Sequence, residues 1–396
     1  MLDAVEYLKR KILNQRFIIL NSILLRGSRF SREVLQMHGE KIDRFNVGGL
    51  AETFPEQFEE AYRIGLEFTS IIDFEKLNPS MVVFAGVGGS AVGGDLIRDW
   101  LKCRVKIPID VCRSYDPPAY LSDKTLVFAI SYSGNTEETL SFMIKAYKLG
   151  CTIISLSSGG FMERLSEKLR IPHIKVPSGL LPRAAIAYLS TPLIPIVEKL
   201  TNIDLKWEVD ETLENLRKLR AKLVRATPIE ENPAKKLARM IYGKIPTIFG
   251  YGYLSSVARR FKNQLNENSK VVARWDEFPE LNHNEIMAYQ NPEPYVKNQF
   301  IIFLRGRVEQ PENTARIENT RRIVEGKVSG IYDLYGLGSS ILSNIYTILY
   351  IADFTSVYLA YLRGVDPGDT SLIEDLKKRL DSSIGILSRI KSEYKL

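Results

Sequence analysis

Histidine and cysteine, the residues that most often build metal sites and disulfide frameworks, are scarce in this sequence. Three of each occur among 396 residues. They are His38, His173 and His283, and Cys103, Cys112 and Cys151. The histidines lie far apart and the cysteines have no metal-type spacing, so we expect no bound metal. An odd number of cysteines also favours reduced thiols in a cytoplasmic protein over a disulfide framework.

Neither a dense basic surface nor a clean membrane-length apolar run is present. The net charge is +7, and the first 36 residues contribute +4 of it, so the rest of the chain is mildly basic and no nucleic-acid partner is expected. The longest apolar stretch, residues 341–362, contains Asn344 and Asp353, which would be costly in lipid. It therefore predicts a buried or subunit-interface helix. Residues 17–25 lack the small-residue cleavage site of a secretory signal.

What the sequence does contain is an alternation of apolar strands and helices, which begins after a helical segment at residues 43–75. Strands are predicted at residues 81–85, 105–112, 125–130 and 151–156. Their runs are apolar on both faces, which is typical of a parallel sheet covered by helices on both sides. The same order returns about 165 residues later, with strands at residues 246–249, 300–304 and 330–334. An apolar helix follows each set, at residues 184–200 and 341–362.

This repeat predicts an α/β fold of two doubly wound parallel-sheet subdomains preceded by a helical extension. We expect the extension at residues 1–42, the first subdomain at 43–205, a helical linker at 206–235 and the second subdomain at 236–396. Met37 could be the biological start, or the extension could belong to the protein, and the sequence leaves both readings open.

The loop Ser131-Tyr132-Ser133-Gly134-Asn135-Thr136 follows an apolar strand and precedes a helix. A phosphate monoester needs several short donors, preferably at a helix N-terminus, where free N–H groups and the helix dipole meet. Ser131, Ser133 and Thr136 supply hydroxyl groups, and Gly134 lets the backbone approach a ligand. Helix capping is the alternative role, but three hydroxyls and a glycine in six residues exceed what a cap requires. The loop predicts a phosphate site.

A second glycine-rich loop, at residues 86–91, satisfies G-x-G-x-x-A after a strand. That pattern is also typical of a dinucleotide site, which calls for an acidic residue at the end of the second strand. Cys112 and Arg113 stand there instead. We therefore predict a second anion-binding loop, with Gly88, Gly89 and Ser90 contacting the same phosphosugar.

Together the two loops resemble sugar isomerase (SIS) domains, which have a flavodoxin-like doubly wound sheet, and in particular the archaeal bifunctional phosphoglucose/phosphomannose isomerases. The matching stretches are residues 86–90, 95–99, 131–136, 138–140, 182–185, 263–270 (Asn-Gln-Leu-Asn-Glu-Asn-Ser-Lys), 279–284 (Pro-Glu-Leu-Asn-His-Asn), 363–367 and 376–380. The resemblance extends in order over roughly residues 43–380.

The resemblance implies a role for five residues. Glu267 matches the base that moves a proton between C2 and C1, and Arg183 would face the enediolate. His283 matches a ring-opening acid/base that reaches the sugar from the partner subunit. Lys377 matches a lysine implicated in ring opening, and Thr370 a threonine that leaves room for both C2 epimers.

The activity so implied is metal-independent and cofactor-free. Fructose 6-phosphate would interconvert with glucose 6-phosphate and mannose 6-phosphate through a cis-enediol, in a cytoplasmic homodimer that shares His283 across its interface. The apolar residues 341–362 also favour a dimer. Three alternatives remain: a non-catalytic phosphosugar-binding SIS protein, an isomerase of single specificity, and a nucleotide-dependent oxidoreductase.

Overall fold

The computed structural model describes residues 41–395. Nearly all of the predicted N-terminal extension therefore lies outside the described residues. The helices are α1 (Val47–Glu52), α2 (Phe54–Ile71), α3 (Gly89–Leu101), α4 (Glu137–Lys148), α5 (Gly160–Leu169), α6 (Ile186–Ser190), α7 (Leu193–Thr201), α8 (Lys206–Leu223), α9 (Pro233–Ile241), α10 (Ser255–Glu267), α11 (Pro294–Lys297), α12 (Pro311–Val324), α13 (Ile341–Arg363), α14 (Ser371–Ser383) and α15 (Ile386–Tyr394). Short 3₁₀ helices lie at Phe74–Lys76, Pro182–Ala184, Gly252–Leu254, Glu280–Asn282 and Glu285–Tyr289.

Nine strands form two wholly parallel sheets among the described residues. They are β1 (Met81–Ala85), β2 (Ile109–Cys112), β3 (Thr125–Ile130), β4 (Thr152–Ser157), β5 (His173–Lys175), β6 (Ile245–Tyr251), β7 (Arg274–Phe278), β8 (Gln299–Arg305) and β9 (Gly330–Tyr335). The first sheet has the order β2-β1-β3-β4-β5 and the second the order β7-β6-β8-β9. The first is the flavodoxin-like order, and the predicted α/β fold with two parallel sheets is confirmed.

Successive residues of the central strands enter cores on opposite faces of the first sheet. Phe84 and Phe128 stack in one core with ring centroids 5.1 Å apart, whereas Val83 and Val127 lie in the other. This two-sided burial explains why the strands read as continuous apolar runs rather than as alternating ones.

Helix α13 is the centre of the larger core. It is long and apolar enough to cross a membrane, but it is wholly buried inside the chain, from Leu342 to Leu362. A helix that is apolar on all sides is typical of such a position. The prediction of a buried helix is confirmed, but its use as support for a dimer is wrong. Every face of α13 already packs within one chain, so none is left for a partner.

The last two helices leave the second sheet and return to the first. In α15, Ile390 is buried among the side chains of the first sheet's second core, and Lys148 on α4 lies 3.4 Å from Glu393. Helix α14, between them, buries none of its residues. The subdomain boundaries stay predictions, with α15 packed on the half opposite to the one assigned by sequence.

Two predicted elements differ from the structure, and two strands were not predicted. The strand predicted at residues 105–112 starts at Ile109, directly after Pro108, which has no N–H for a ladder. The apolar helix predicted at residues 184–200 is two helices, α6 and α7, which are separated at Thr191 and Pro192. Strands β5 and β7 were not predicted.

Candidate active site

Both predicted phosphate loops lie at the point where the strand order of the first sheet reverses. One follows β1 and the other follows β3, and these two strands are neighbours. The loops also touch, since the Tyr132 N–H donates to Ser90 Oγ at 3.3 Å. The crevice at the carboxyl ends of such neighbouring strands is where open α/β sheets bind ligands. The structure therefore brings Gly88, Gly89 and Ser90 together with the loop at residues 131–136.

The hydroxyl groups of the loop at residues 131–136 do not cap the helix that follows it. Thr136 occupies the N-cap position of α4, yet its side chain makes no cap hydrogen bond. Its hydroxyl instead pairs with Ser131 Oγ at 2.8 Å. Ser133 is exposed and its Oγ accepts from the Asn135 N–H at 3.2 Å, which leaves its own proton for another acceptor. The capping alternative does not describe this loop.

A tight backbone contact fixes the shape of the loop. Gly134 has φ +66°, and a Cβ there would lie 1.8 Å from the Gly159 carbonyl oxygen. No other residue fits without moving the β4–α5 turn. Ser158 Oγ donates to the Tyr132 carbonyl at 2.7 Å and fastens the same two loops. The loop is thus held in one shape before any ligand arrives.

The corresponding edge of the second sheet is filled by the protein itself. The Gly306 N–H, after β8, donates to Tyr251 Oη at 3.1 Å. Arg305 is buried and pairs with Glu309 at 2.5 Å and with Glu318 at 2.7 Å. A phosphate would have to displace these groups, so the first sheet is the better anion site of the two.

Arg183 and Glu267, which are 84 residues apart in sequence, meet in space. Arg183 lies in the 3₁₀ helix Pro182–Ala184 and is 4% exposed. Its Nη1 is 3.4 Å from Glu267 Oε2, at the last residue of α10. Its Nη2 donates to the Pro367 carbonyl at 2.6 Å, and its buried Nε has no partner among residues 41–395. The pair therefore combines a carboxylate with a guanidinium that still has a donor to offer.

A buried polar network holds Arg183 in place. Arg260 Nη2 donates to the Arg183 carbonyl at 3.0 Å and to Asp353 Oδ2 at 2.8 Å. Gln264 Nε2 donates to Asp353 Oδ1 at 2.9 Å. Burial raises the pKa of the Asp353 carboxyl, and Arg260 and Gln264 oppose that rise by stabilising the carboxylate. The single acid of the apolar helix α13 thus orients the segment that carries Arg183.

Two contacts connect this pair to the phosphate loops. A Cβ at Gly89 would lie 3.2 Å from the Pro182 carbonyl oxygen, so the loop at residues 86–91 lies against the segment that carries Arg183. Asp99, near the end of α3, accepts from the Ser256 N–H at 3.0 Å and so caps the start of α10. Helix α3 begins at the loop of residues 86–91, and α10 ends at Glu267. The anion site and the carboxylate are therefore fixed relative to each other.

The structure does not bring the other three predicted residues into contact with Glu267. Thr370 is the N-cap residue of α14, and its Oγ1 donates to Glu374 at 2.5 Å. Lys377 lies on the same helix and is exposed. His283 is exposed at the end of the 3₁₀ helix Glu280–Asn282. The roles of these residues stay predictions.

Residues 230–380 match the family described as the bacterial phospho-glucose isomerase C-terminal SIS domain. The chain is 39% identical over 328 residues to a bifunctional phosphoglucose/phosphomannose isomerase of Caldicellulosiruptor bescii, in a match that covers 82% of this chain and 96% of that relative. This chain belongs to the bifunctional phosphoglucose/phosphomannose isomerase family.

Two further comparisons set the limits of this family assignment. A relative from Sulfolobus acidocaldarius, 30% identical over 338 residues, is named D-glucosamine-6-phosphate 4-epimerase, and the match covers 84% of this chain and 97% of that relative. The solved structure of hypothetical protein TT0462 from Thermus thermophilus superposes with a TM-score of 0.69 at 16% identity, over 93% of this chain and 98% of that one. The second likeness shows the fold alone.

Sequence reasoning did not single out two residues of the hydrogen-bond network around Arg183 and Glu267. Lys270 donates to the carbonyls of Glu267 and Asp369, and Asp353 orients Arg260. Asp353 carried a readable signal, because a lone acid in an apolar helix needs a buried partner. Lys270 ends the matching stretch at residues 263–270, but the resemblance gave it no role, and it is one of many Lys and Arg residues.

Proposed function

We propose that this protein is a metal-independent aldose–ketose isomerase that interconverts fructose 6-phosphate with glucose 6-phosphate and mannose 6-phosphate through a cis-enediol. The observation that carries the proposal is the Arg183–Glu267 contact of 3.4 Å, on a segment that lies against the predicted anion loops. The name of the Caldicellulosiruptor bescii relative supports both products. A carboxylate and a cation at one place are what enediol chemistry requires.

The proposed proton transfer balances on these two residues. The Glu267 carboxylate removes the proton from C2 of the open-chain aldose phosphate, the C1–C2 double bond forms, and the former carbonyl oxygen at C1 becomes the oxyanion of an enediolate. The hydroxyl proton on the C2 oxygen passes to the C1 oxygen, the same carboxyl returns its proton to C1, and the C2 oxygen becomes the carbonyl of fructose 6-phosphate. Arg183 stabilises the negative charge that develops on these oxygens through the positive charge of its guanidinium, which lies beside Glu267.

The phosphate would be held by the two loops at the switch point of the first sheet. Ser131, Ser133 and Thr136 would donate hydroxyl protons, and Gly88 to Ser90 would present backbone at the start of α3. The N-termini of α3 and α4 both open at this crevice, and each favours an anion through its free N–H groups and dipole. The phosphate would anchor the sugar so that C1 and C2 reach Glu267.

A coupled assay of fructose 6-phosphate in EDTA tests the proposed function. We expect both glucose 6-phosphate and mannose 6-phosphate to form, at rates that EDTA leaves unchanged. Formation of glucose 6-phosphate alone contradicts the dual specificity that we assign to Thr370. Binding without turnover contradicts the isomerase and favours a phosphosugar sensor.

A second candidate comes from the relative named D-glucosamine-6-phosphate 4-epimerase. It requires inversion at C4 rather than transfer between C1 and C2. Incubation with glucosamine 6-phosphate, followed by separation of the C4 epimers, distinguishes the two reactions. We expect no C4 epimer from this chain, because the observation on which the proposal rests is a carboxylate–guanidinium pair suited to an enediolate.

The site is proposed to be completed by a second copy of the chain, in a cytoplasmic homodimer. His283 is exposed on its own chain, and we propose that it opens the sugar ring in the partner's site, with Lys377 assisting. Helix α14 supplies surface for such a contact, because Leu372 is 85% exposed and Leu376 56% exposed. The two leucines are four residues apart on one helix and so lie on the same face, and a contiguous exposed apolar patch is typical of a protein–protein contact.

Mixed dimers test the sharing of His283. Chains carrying Glu267→Gln and chains carrying His283→Asn should each be inactive, whereas the purified mixed dimer should regain about half of the wild-type activity, since one of two isologous sites is intact. Glu267→Gln paired with Arg183→Met is the matched control. These two residues meet within one chain, so that mixed dimer should stay inactive. An inactive Glu267→Gln/His283→Asn dimer would place His283 in its own chain's site.

A further inference from the structure

Lys270 lies just after the helix that ends at Glu267 and has an uncommon backbone conformation. Its φ is +55°, in the left-handed region that side chains other than glycine rarely adopt. Its Nζ donates to the Glu267 carbonyl and, at 2.9 Å, to the Asp369 carbonyl. A strained residue that is held by two such bonds is typical of functional sites.

The bond to Asp369 fixes the residue that precedes Thr370. The connection between α13 and α14, which we call the 366–370 loop, is held at a second carbonyl by Arg183, whose Nη2 is 2.6 Å from Pro367 O. Each of the two cations next to the Glu267 carboxylate thus holds one carbonyl of the same loop. Lys270 therefore links the end of the helix that carries Glu267 to Asp369, the residue next to the threonine that we assign to epimer specificity.

Lys270 and Arg183 differ in their surroundings and in the partners of their hydrogen-bond donors. Burial lowers the pKa of the Lys270 ammonium, and the nearby positive charge of Arg183 lowers it further. Lys270 uses two of its three donors on main-chain carbonyls, whereas Arg183 keeps a buried Nε without a partner in the described chain. Arg183 is thus the cation that contacts the Glu267 carboxylate, whereas Lys270 holds the main chain and acts on position.

We propose that Lys270 is a positioning residue that sets the distance between Thr370 and Glu267, and that it thereby controls the relative initial rates at which mannose 6-phosphate and glucose 6-phosphate form. The proposal rests on the proposed isomerase function. The two aldose phosphates differ only in configuration at C2, so they require the enediol to present opposite faces to the same carboxylate. With Thr370 in the role proposed for it, the C2–C3 rotation that exchanges these faces would take place beside the 366–370 loop.

Lys270→Met removes both hydrogen bonds and retains the length of the side chain. We expect kcat with fructose 6-phosphate to fall about tenfold, because small displacements at a reacting centre are costly. The ratio of the initial rates of mannose 6-phosphate and glucose 6-phosphate formation should shift about threefold or more, which corresponds to a small change in the relative heights of the two barriers. KM should stay within about twofold, since the phosphate loops lie on the other sheet. Lys270→Arg keeps charge and donors and should retain the wild-type ratio.

Lys235→Met is the matched control, because Lys235 Nζ also donates to two main-chain carbonyls, at 2.7 and 2.8 Å, away from this site. It should lower the melting temperature and leave the product ratio unchanged. A wild-type ratio and kcat in folded Lys270→Met overturn the proposal, as does a loss of rate with an unchanged ratio. Lys270→Gln, read in the same way, replaces Lys270→Met if that variant does not fold. A wild-type protein without isomerisation refutes the proposed function instead.

Discussion

Glu267→Gln should lower the rate of fructose 6-phosphate isomerisation by about 10²- to 10⁴-fold, which is the usual contribution of a positioned general base. The amide keeps the shape of the side chain at the end of α10 but cannot accept the proton from C2. Binding of fructose 6-phosphate, measured by calorimetry, should change by no more than about threefold, because the proposed phosphate loops are untouched. Exchange of deuterium from C2-labelled glucose 6-phosphate into water should fall with the rate.

A glutamate on the protein surface provides the control for this substitution. Glu214 on α8 is exposed and pairs with Lys218, and such surface pairs contribute little to stability. Glu214→Gln should therefore keep wild-type activity. Full activity in Glu267→Gln would refute the assignment of the base, and a parallel loss of substrate binding would indicate that Glu267 holds the sugar rather than moving its proton.

The sequence predicts local features of the fold well when the signal is contiguous. Strands β1 and β3 have the predicted bounds, because each is a short apolar run closed by a glycine- or serine-rich loop. Strands β5 and β7 lie at sheet edges, where charged residues are tolerated, but so do the predicted strands β2 and β9. What β5 and β7 lack is an apolar run, since β5 has only three residues and β7 is mostly charged. Strand β7 reads Arg-Trp-Asp-Glu-Phe and shows neither an apolar run nor clear alternation.

The candidate site divides in the same way between local and long-range features. Ser131 and Thr136 are five residues apart, so their hydroxyls could be read as one group. The contacts that arrange the carboxylate join residues separated by 84 to 99 positions, and no spacing rule reaches that far. The resemblance to a known family assigned roles to Glu267 and Arg183. It included Lys270 in the stretch 263–270 without a role, and Asp353 lies outside every matching stretch. Packing of α10 against α13 is what brings those residues together.

Asp353→Ala should lower the free energy of unfolding by about 3 to 5 kcal/mol, because it leaves the buried Arg260 guanidinium without its carboxylate. Arg260 is 3% exposed, so water cannot replace the lost partner without opening the core. Gln264 Nε2 loses its acceptor as well. The midpoint of urea unfolding measures the effect, with the slope unchanged if the folded states are equally compact.

A double substitution separates the stability of this network from its effect on the site. Asp353→Leu combined with Arg260→Met replaces the buried ion pair by apolar side chains of similar size, and such exchanges are often neutral or stabilising. We expect it to recover most of the lost stability. The isomerase activity of the double variant should be lower than that of the wild type, because the Arg183 carbonyl no longer receives the Arg260 hydrogen bond of 3.0 Å. Recovery of both properties would mean that Arg183 is held in place without Arg260, and an Asp353→Ala loss under about 1 kcal/mol would mean that the pair is not buried as described.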